Sequence, residues 1–250
     1  MLPNQTIATL HELGLSAMAD GLSEQLATPG TYDELSFSDR LGLLVDKEAD
    51  ARDSRRLARR LKVAKLRYPA SVEDVDFRSP RGLDKSVVLS LAEARFVAAH
   101  QNVVVTGATG CGKSFLACAL ATAALRQGHT ALYVRTPRLL DDLSLGRADG
   151  RYARLLASLA RVALLVLDDF LITPAGVEAC RDLLEVVEDR AQLRSTIVVS
   201  QLPAEKWLSA MSDPTLAEAV LDRLLQSSHR ITMKGPSMRK RQPSTDEEAR

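Results

Sequence analysis

Two short stretches of this sequence hold residues whose types and spacing suit phosphate chemistry. The first is GATGCGKS, Gly107 to Ser114, which fits the spacing G-x-x-x-x-G-K-[ST]. Gly107, Gly110 and Gly112 permit tight curvature and positive φ. The backbone from Ala108, Thr109 and Cys111 to Phe115 can then turn its N–H groups onto an anion at a helix N-terminus. Lys113 brings a point charge for β- and γ-phosphates, and the Ser114 hydroxyl suits Mg²⁺. The second stretch is VALLVLDD, Val162 to Asp169, an apolar run that ends in two adjacent carboxylates. Their mutual repulsion is offset if Mg²⁺ and Lys113 lie beside them. Asp168 is then expected in the Mg²⁺ shell, and Asp169 is expected to orient and deprotonate an attacking water. The implied chemistry is hydrolysis of ATP. An aspartate reaches less far than a glutamate, so turnover is expected to be slow or to depend on assembly.

These groups need strands to carry them. NVVVTG (102–107) runs into the loop and a helical pattern at 113–127 leaves it. Other apolar runs are ALYVR (131–135), VALLVLDD (162–169), STIVVS (195–200) and HRITM (229–233), with helical patterns such as 176–191 between them. Strands alternating with helices predict crossover units and a parallel sheet. Uninterrupted apolar strands predict a sheet covered on both faces. If STIVVS lies between the two site strands, Ser200 or Gln201 presents a polar end to the γ-phosphate; a plain polar residue where the strand passes into a loop is the competing reading.

The N-terminal part reads as helical. Leu10, Leu13, Met18, Leu22 and Leu26 follow a helical stripe, broken by Thr28-Pro29-Gly30, and a second helix is expected from Ser36 or Ser38 to Tyr68, before Pro69. The expected organisation is a helical domain over 1–68, a linker over 69–82 docked through Phe77, a nucleotide domain over 83–238 and a disordered tail over 239–250. The 250 residues are 46% apolar but only 4% aromatic, which predicts an aliphatic core. Cys111, Cys118 and Cys180 lack metal spacing; Cys118 and Cys180 are expected in the core, and Cys111 is either a redox-sensitive thiol or a small loop residue. With no signal-like start and no apolar run of about 20 residues, a cytoplasmic protein without a membrane partner is expected.

The formal charge of +1 hides one cluster. Residues 52–67 carry eight Lys or Arg against one acid. On a helix, Arg52, Arg55, Arg56, Arg59, Arg60 and Lys62 would flank a stripe of Leu57, Leu61 and Ala64. Such a face suits phosphate backbones, and the absence of interleaved aromatics argues against base stacking. A solvated helix face is the competing reading.

The run from RGLDKSVV through GATGCGKS, with RSTIVVSQLPAEKW, DPTLAEAVLDRL, HRI and KGPSMRK, resembles the IstB-like ATP-binding proteins, AAA+ helpers of transposases in bacterial insertion sequences. These are similar to the DnaC helicase loader. The resemblance implies an α/β P-loop fold of the AAA+ initiator clade, with a parallel five-stranded sheet in the order 5-1-4-3-2, a helical N-terminal domain and little or no C-terminal lid. It also implies an ATP-dependent homo-oligomer on duplex DNA, target-site selection and stimulation of a partner transposase. Lys113, Ser114, Asp168 and Asp169 match its motif positions. Arg223 matches the arginine that reaches a neighbouring subunit's γ-phosphate; an intrachain ion pair is the alternative. Arg135 and Arg138 are weaker candidates for a central channel, and Arg239 is either a nucleotide contact or a solvated tail arginine. One departure is Leu171, where the family usually has glycine. The rival expectations are a helicase loader and a nucleotide-gated DNA-binding module with little turnover.

Overall fold

A computed structural model describes residues 2–238. Contacts divide the chain into two compact units, residues 1–59 and 60–250. The first unit contains α1 (Leu2–Glu12), α2 (Ser16–Ala27), the single turn α3 (Pro29–Tyr32) and most of α4 (Phe37–Ala64). Gly21 lets α2 approach α4 closely, since a Cβ there would lie 2.9 Å from the Leu44 side chain. Glu48 of α4 is buried and accepts from the backbone N–H groups of Ala17 and Met18, at 2.9 and 3.2 Å. Those are orphan donors of the first turn of α2, so the carboxylate caps that helix from a distance.

The helix expected to reach Tyr68 stops at Ala64. Lys65 takes a left-handed φ of +52° and ends it, so Arg67 and Tyr68 leave the helical path.

The second unit continues with a 3-10 turn at Val72–Asp74, α5 (Lys85–Ala92), α6 (Arg95–Ala98), β1 (Asn102–Gly107), α7 (Lys113–Arg126), β2 (Ala131–Arg135), α8 (Thr136–Asp149) and α9 (Tyr152–Arg161). Then follow β3 (Leu164–Asp168), α10 (Val177–Glu188), β4 (Ser195–Ser200), α11 (Pro214–Leu225) and β5 (Ser228–Met233). All strand pairings are parallel, in the order β2-β3-β4-β1-β5. From the other edge this is 5-1-4-3-2, the expected order. β3 and β4 are buried along their whole length, whereas the edge strands β2 and β5 are only partly covered. This matches the uninterrupted apolar runs of the central strands. Helix α7 is buried from Leu116 to Leu125, as suits a helix packed between the sheet and further elements.

Residues 69–82 group with the second unit. Val72 and Val75 are their buried anchors, while Phe77 is half-buried with the Lys85 ammonium 6.0 Å from its ring. Arg239 and the expected tail lie outside the described residues.

Candidate functional site

The loop between β1 and α7 takes the conformation that its glycines allow. Gly107, Gly110 and Gly112 have φ of +144°, +84° and +98°. A Cβ on Gly107 would lie 2.1 Å from the Met233 carbonyl oxygen, and one on Gly110 would lie 2.2 Å from Ser237 Oγ. Only glycine fits both. Lys113 opens α7, and its Nζ donates to the carbonyls of Gly107 and Ala108, each at 2.8 Å. Thr109 Oγ1 donates to Gln201 Oε1 at 2.7 Å, so the loop is tied to the end of β4. Cys111 is fully buried, and its carbonyl accepts from Arg81 at 3.2 Å. Burial keeps its thiol from solution oxidants, which favours the small-residue reading. Cys118 and Cys180 are also buried. Burial pushes the Cys118 thiol up from its ordinary pKa.

Asp168 ends β3 and is 1% exposed. A carboxylate this deep needs donors. Its Oδ1 accepts from the Asp169 backbone N–H at 2.8 Å, its Oδ2 accepts from the Tyr133 hydroxyl, and Arg67 Nη1 lies 3.8 Å from Oδ2. Burial, then the neighbouring Asp168, pushes the Tyr133 phenol well above its ordinary pKa. Asp169 turns off the strand with φ +56°, and its Oδ2 accepts from Arg135 Nε at 2.8 Å. Short polar residues tolerate that left-handed conformation.

Leu171 is also left-handed, at φ +51°, yet buried. Here a favoured glycine site carries a branched residue, and burial of the side chain works against the backbone cost. Around it the turn is pinned. Phe170 N–H donates to the Val199 carbonyl at 2.9 Å, and the Phe170 ring meets the Trp207 ring at 4.8 Å. The buried Ser200 hydroxyl donates to the Phe170 carbonyl at 2.8 Å and accepts from Leu202 N–H at 3.1 Å. Ser200 therefore joins the end of β4 to the aspartate turn, and Gln201 is the residue that reaches the loop.

Lys113, Ser114, Asp168, Asp169, Ser200 and Gln201 line one cavity of about 490 Å³, within the range of small-molecule sites. Its other wall contains Arg67, Tyr68, Arg81, Phe115 and Met238. The Tyr68 and Phe115 rings stand 6.3 Å apart. Sequence reasoning placed Arg67 in the basic run and did not single out Tyr68, Arg81 or Tyr133. The one available signal was Pro69, which forces its predecessor out of the helix. The KGPSM motif folds onto the loop: Met238 N–H donates to Gly110 O at 2.9 Å and Lys234 N–H to Arg81 O at 2.8 Å.

The donor chemistry fits Mg²⁺. Ser114 and Asp168 are oxygen ligands, and Mg²⁺ takes one or two from a protein beside phosphates and water. Among the described residues no group of three His, Cys, Asp or Glu forms a cage, so no all-protein metal site competes.

Arg223 is not in this cavity. It forms an ion pair with Glu188, and its carbonyl accepts from the Asn102 side chain at 3.0 Å. Asn102 opens β1 and Gly107 closes it, so the Arg223 backbone lies about 17 Å from the loop at the strand's usual rise. It cannot serve its own chain's nucleotide.

The basic candidates separate. Arg52 and Arg55 bind Glu48 at 2.9 and 3.0 Å, and Arg56 binds Asp53 at 3.2 Å. Arg59 and Lys62 are exposed, Arg60 is half-buried, and none of the three has an ion-pair partner among the described residues. Arg138 is exposed.

The IstB-like ATP binding protein family matches residues 8–246. A protein of Sinorhizobium fredii named for ATP binding in an insertion sequence is 46% identical over 242 residues, 97% of this chain and 98% of its own. The DnaC helicase loader superposes with a TM-score of 0.54 at 21% identity, over 68% of this chain and 100% of its own. The replication initiator DnaA, bound to AMPPCP and single-stranded DNA, superposes with a TM-score of 0.56 at 18% identity, over 69% and 52%.

Proposed function

The chain belongs to the IstB-like ATP-binding proteins with an AAA+ initiator-clade fold, and from that premise we propose that it is an ATPase accessory to DNA transposition. In this reading it binds ATP with Mg²⁺ and assembles with copies of itself on duplex DNA. It helps to select the target site, and it recruits and stimulates a partner transposase. The carrying observation is that Lys113, Ser114, Asp168 and Asp169 meet in one cavity. The loop amides and Lys113 would hold the phosphates; Ser114 and Asp168 would hold the metal, which would supply charge neutralisation. Asp169 exchanges Arg135 for the attacking water and takes its proton. Gln201, tied to Thr109, would face the γ-phosphate in this reading. Arg223 leaves Glu188 and acts on the nucleotide of a neighbouring subunit. Arg56, Arg59, Arg60 and Lys62 contact DNA phosphates. A cytoplasmic location fits this role, and among the described residues no helix is long and apolar enough to cross a membrane.

The test is ATP turnover with and without duplex DNA, alongside capture of the transposase from a co-expressing cell. DNA-stimulated turnover with transposase retained supports the reading; a retained replicative helicase replaces it with a loader. One observation favours a third reading: the Arg135 ion pair occupies Asp169. Nucleotide-dependent DNA binding without turnover would make the chain a gated binding module.

A further inference from the structure

The side chain nearest the Asp168 carboxylate is Tyr133, in the middle of β2. Phenylalanine would fill the same space under the sheet, so the specific contribution of tyrosine is its hydroxyl. A buried hydroxyl needs a partner, and this one donates to Asp168 Oδ2. The other oxygen, Oδ1, is held by the Asp169 backbone N–H at 2.8 Å. One donor on each oxygen fixes the carboxylate plane. A carboxylate has about four acceptor positions, so two remain for the cavity that it lines. Arg67 is placed differently. Its Nη1 is 3.8 Å from Oδ2, its guanidinium lies 5.4 Å from the Tyr68 ring centroid, and its side chain is partly solvated. It is a cation beside the same oxygen that also reaches the Tyr133 hydroxyl, and it comes from a short segment beyond α4.

We propose that Tyr133 is a positioning residue that holds Asp168 ready for Mg²⁺, and that Arg67 is the protein's own counter-cation, which the metal must displace. The two side chains therefore act on metal affinity in opposite directions. The inference rests on the reading that Asp168 serves the Mg²⁺ shell. It adds two residues that the motif spacing does not contain.

The test is binding of a fluorescent ATP analogue to the full chain as Mg²⁺ is raised, with hydrolysis left aside. Tyr133→Phe preserves volume and is expected to raise the half-saturating Mg²⁺ by about tenfold, as removal of outer partners of metal ligands does. Metal-free nucleotide affinity should stay unchanged. Arg67→Gln is expected to lower the half-saturating Mg²⁺ by about threefold, because a competing charge is removed. Arg67→Lys should keep the wild-type midpoint. An unchanged midpoint in Tyr133→Phe, or shifts of the same sign in Tyr133→Phe and Arg67→Gln, overturns the proposal while Asp168→Asn still weakens the Mg²⁺ response. If Asp168→Asn leaves that response intact, the metal reading of Asp168 falls and the proposal falls with it.

Discussion

In the nucleotide cradle the charged groups are inside. Lys113 is 7% exposed and Asp168 1%, and strand ends, left-handed turns and a pair of hydrogen bonds each fix their positions. Along α4 the arginines are outside. The side chains of Arg52, Arg55 and Arg56 are 47%, 57% and 65% exposed, and each finds a carboxylate within its own unit. A buried charge is held by a small number of donors and cannot relax when one is lost. A surface charge is screened and easily re-paired. Function in the cradle should therefore fail all at once, and function along α4 should erode by increments.

The steepest failure is expected at Gly107. Its added Cβ would meet the Met233 carbonyl at 2.1 Å, so Gly107→Ala must break the contact between the loop and the end of β5. A cost above about 3 kcal/mol is expected, read as a fall in Tm together with loss of nucleotide binding. Lys113→Ala should keep the fold and lose about 100-fold in ATP affinity, the worth of a strong charge-assisted bond. Equal melting losses in the two variants would break the distinction between the frame and the charge that it carries.

Next is Asp169→Asn. It keeps the shape, and Arg135 can still bond the amide oxygen. Nucleotide affinity should stay within about twofold while turnover falls by about 100- to 10,000-fold, the usual worth of a general base. Undiminished turnover would remove Asp169 from the chemistry.

Legibility in the sequence follows the same division. The cradle could be read because its chemistry is local: a loop of eight residues, and two aspartates at the end of one apolar run. The five strands were accessible because apolar runs alternate with helical periods, whereas their order came only with the family resemblance. Tyr133 and Arg67 were hidden because what they touch is set by the pairing of β2 with β3 and by a turn at Lys65, neither of which has a local signature. Ser200 was read as a polar strand end and proved to be a tie to Phe170, because a hydroxyl's partner depends on the chain opposite. The basic run was legible as charge only. Which arginines are held by Glu48 could not be seen, since that acid caps a helix about thirty residues away.

That carboxylate gives the next test. Burial opposes ionisation of Glu48, but Arg52 and the amides of Met18 and Ala17 outweigh it and hold its pKa below the ordinary value. A depressed folded-state pKa contributes stability that is present above about pH 4.3, the ordinary glutamate value. The contribution is lost as pH falls through the depressed value. Glu48→Gln should lower the Tm of the full chain at pH 7 and flatten its fall on acidification below pH 4.3. An unaltered acid limb would show that Glu48 does not organise the first unit.

The smallest effect separates arginines that look alike. Arg56 and Asp53 form an exposed i,i+3 pair, worth about 0.5 kcal/mol or less. Arg56 can therefore leave Asp53 for a phosphate at almost no cost. Arg52 and Arg55 would have to abandon a buried carboxylate. Arg56→Ala should leave Tm unchanged and reduce the slope of log affinity against log salt on duplex DNA by about 0.9, one phosphate contact. Arg52→Ala should do the reverse, lowering Tm and leaving the slope in place. If both variants change the slope equally, Glu48 does not hold its arginines back, and the basic face of α4 acts as one undivided surface.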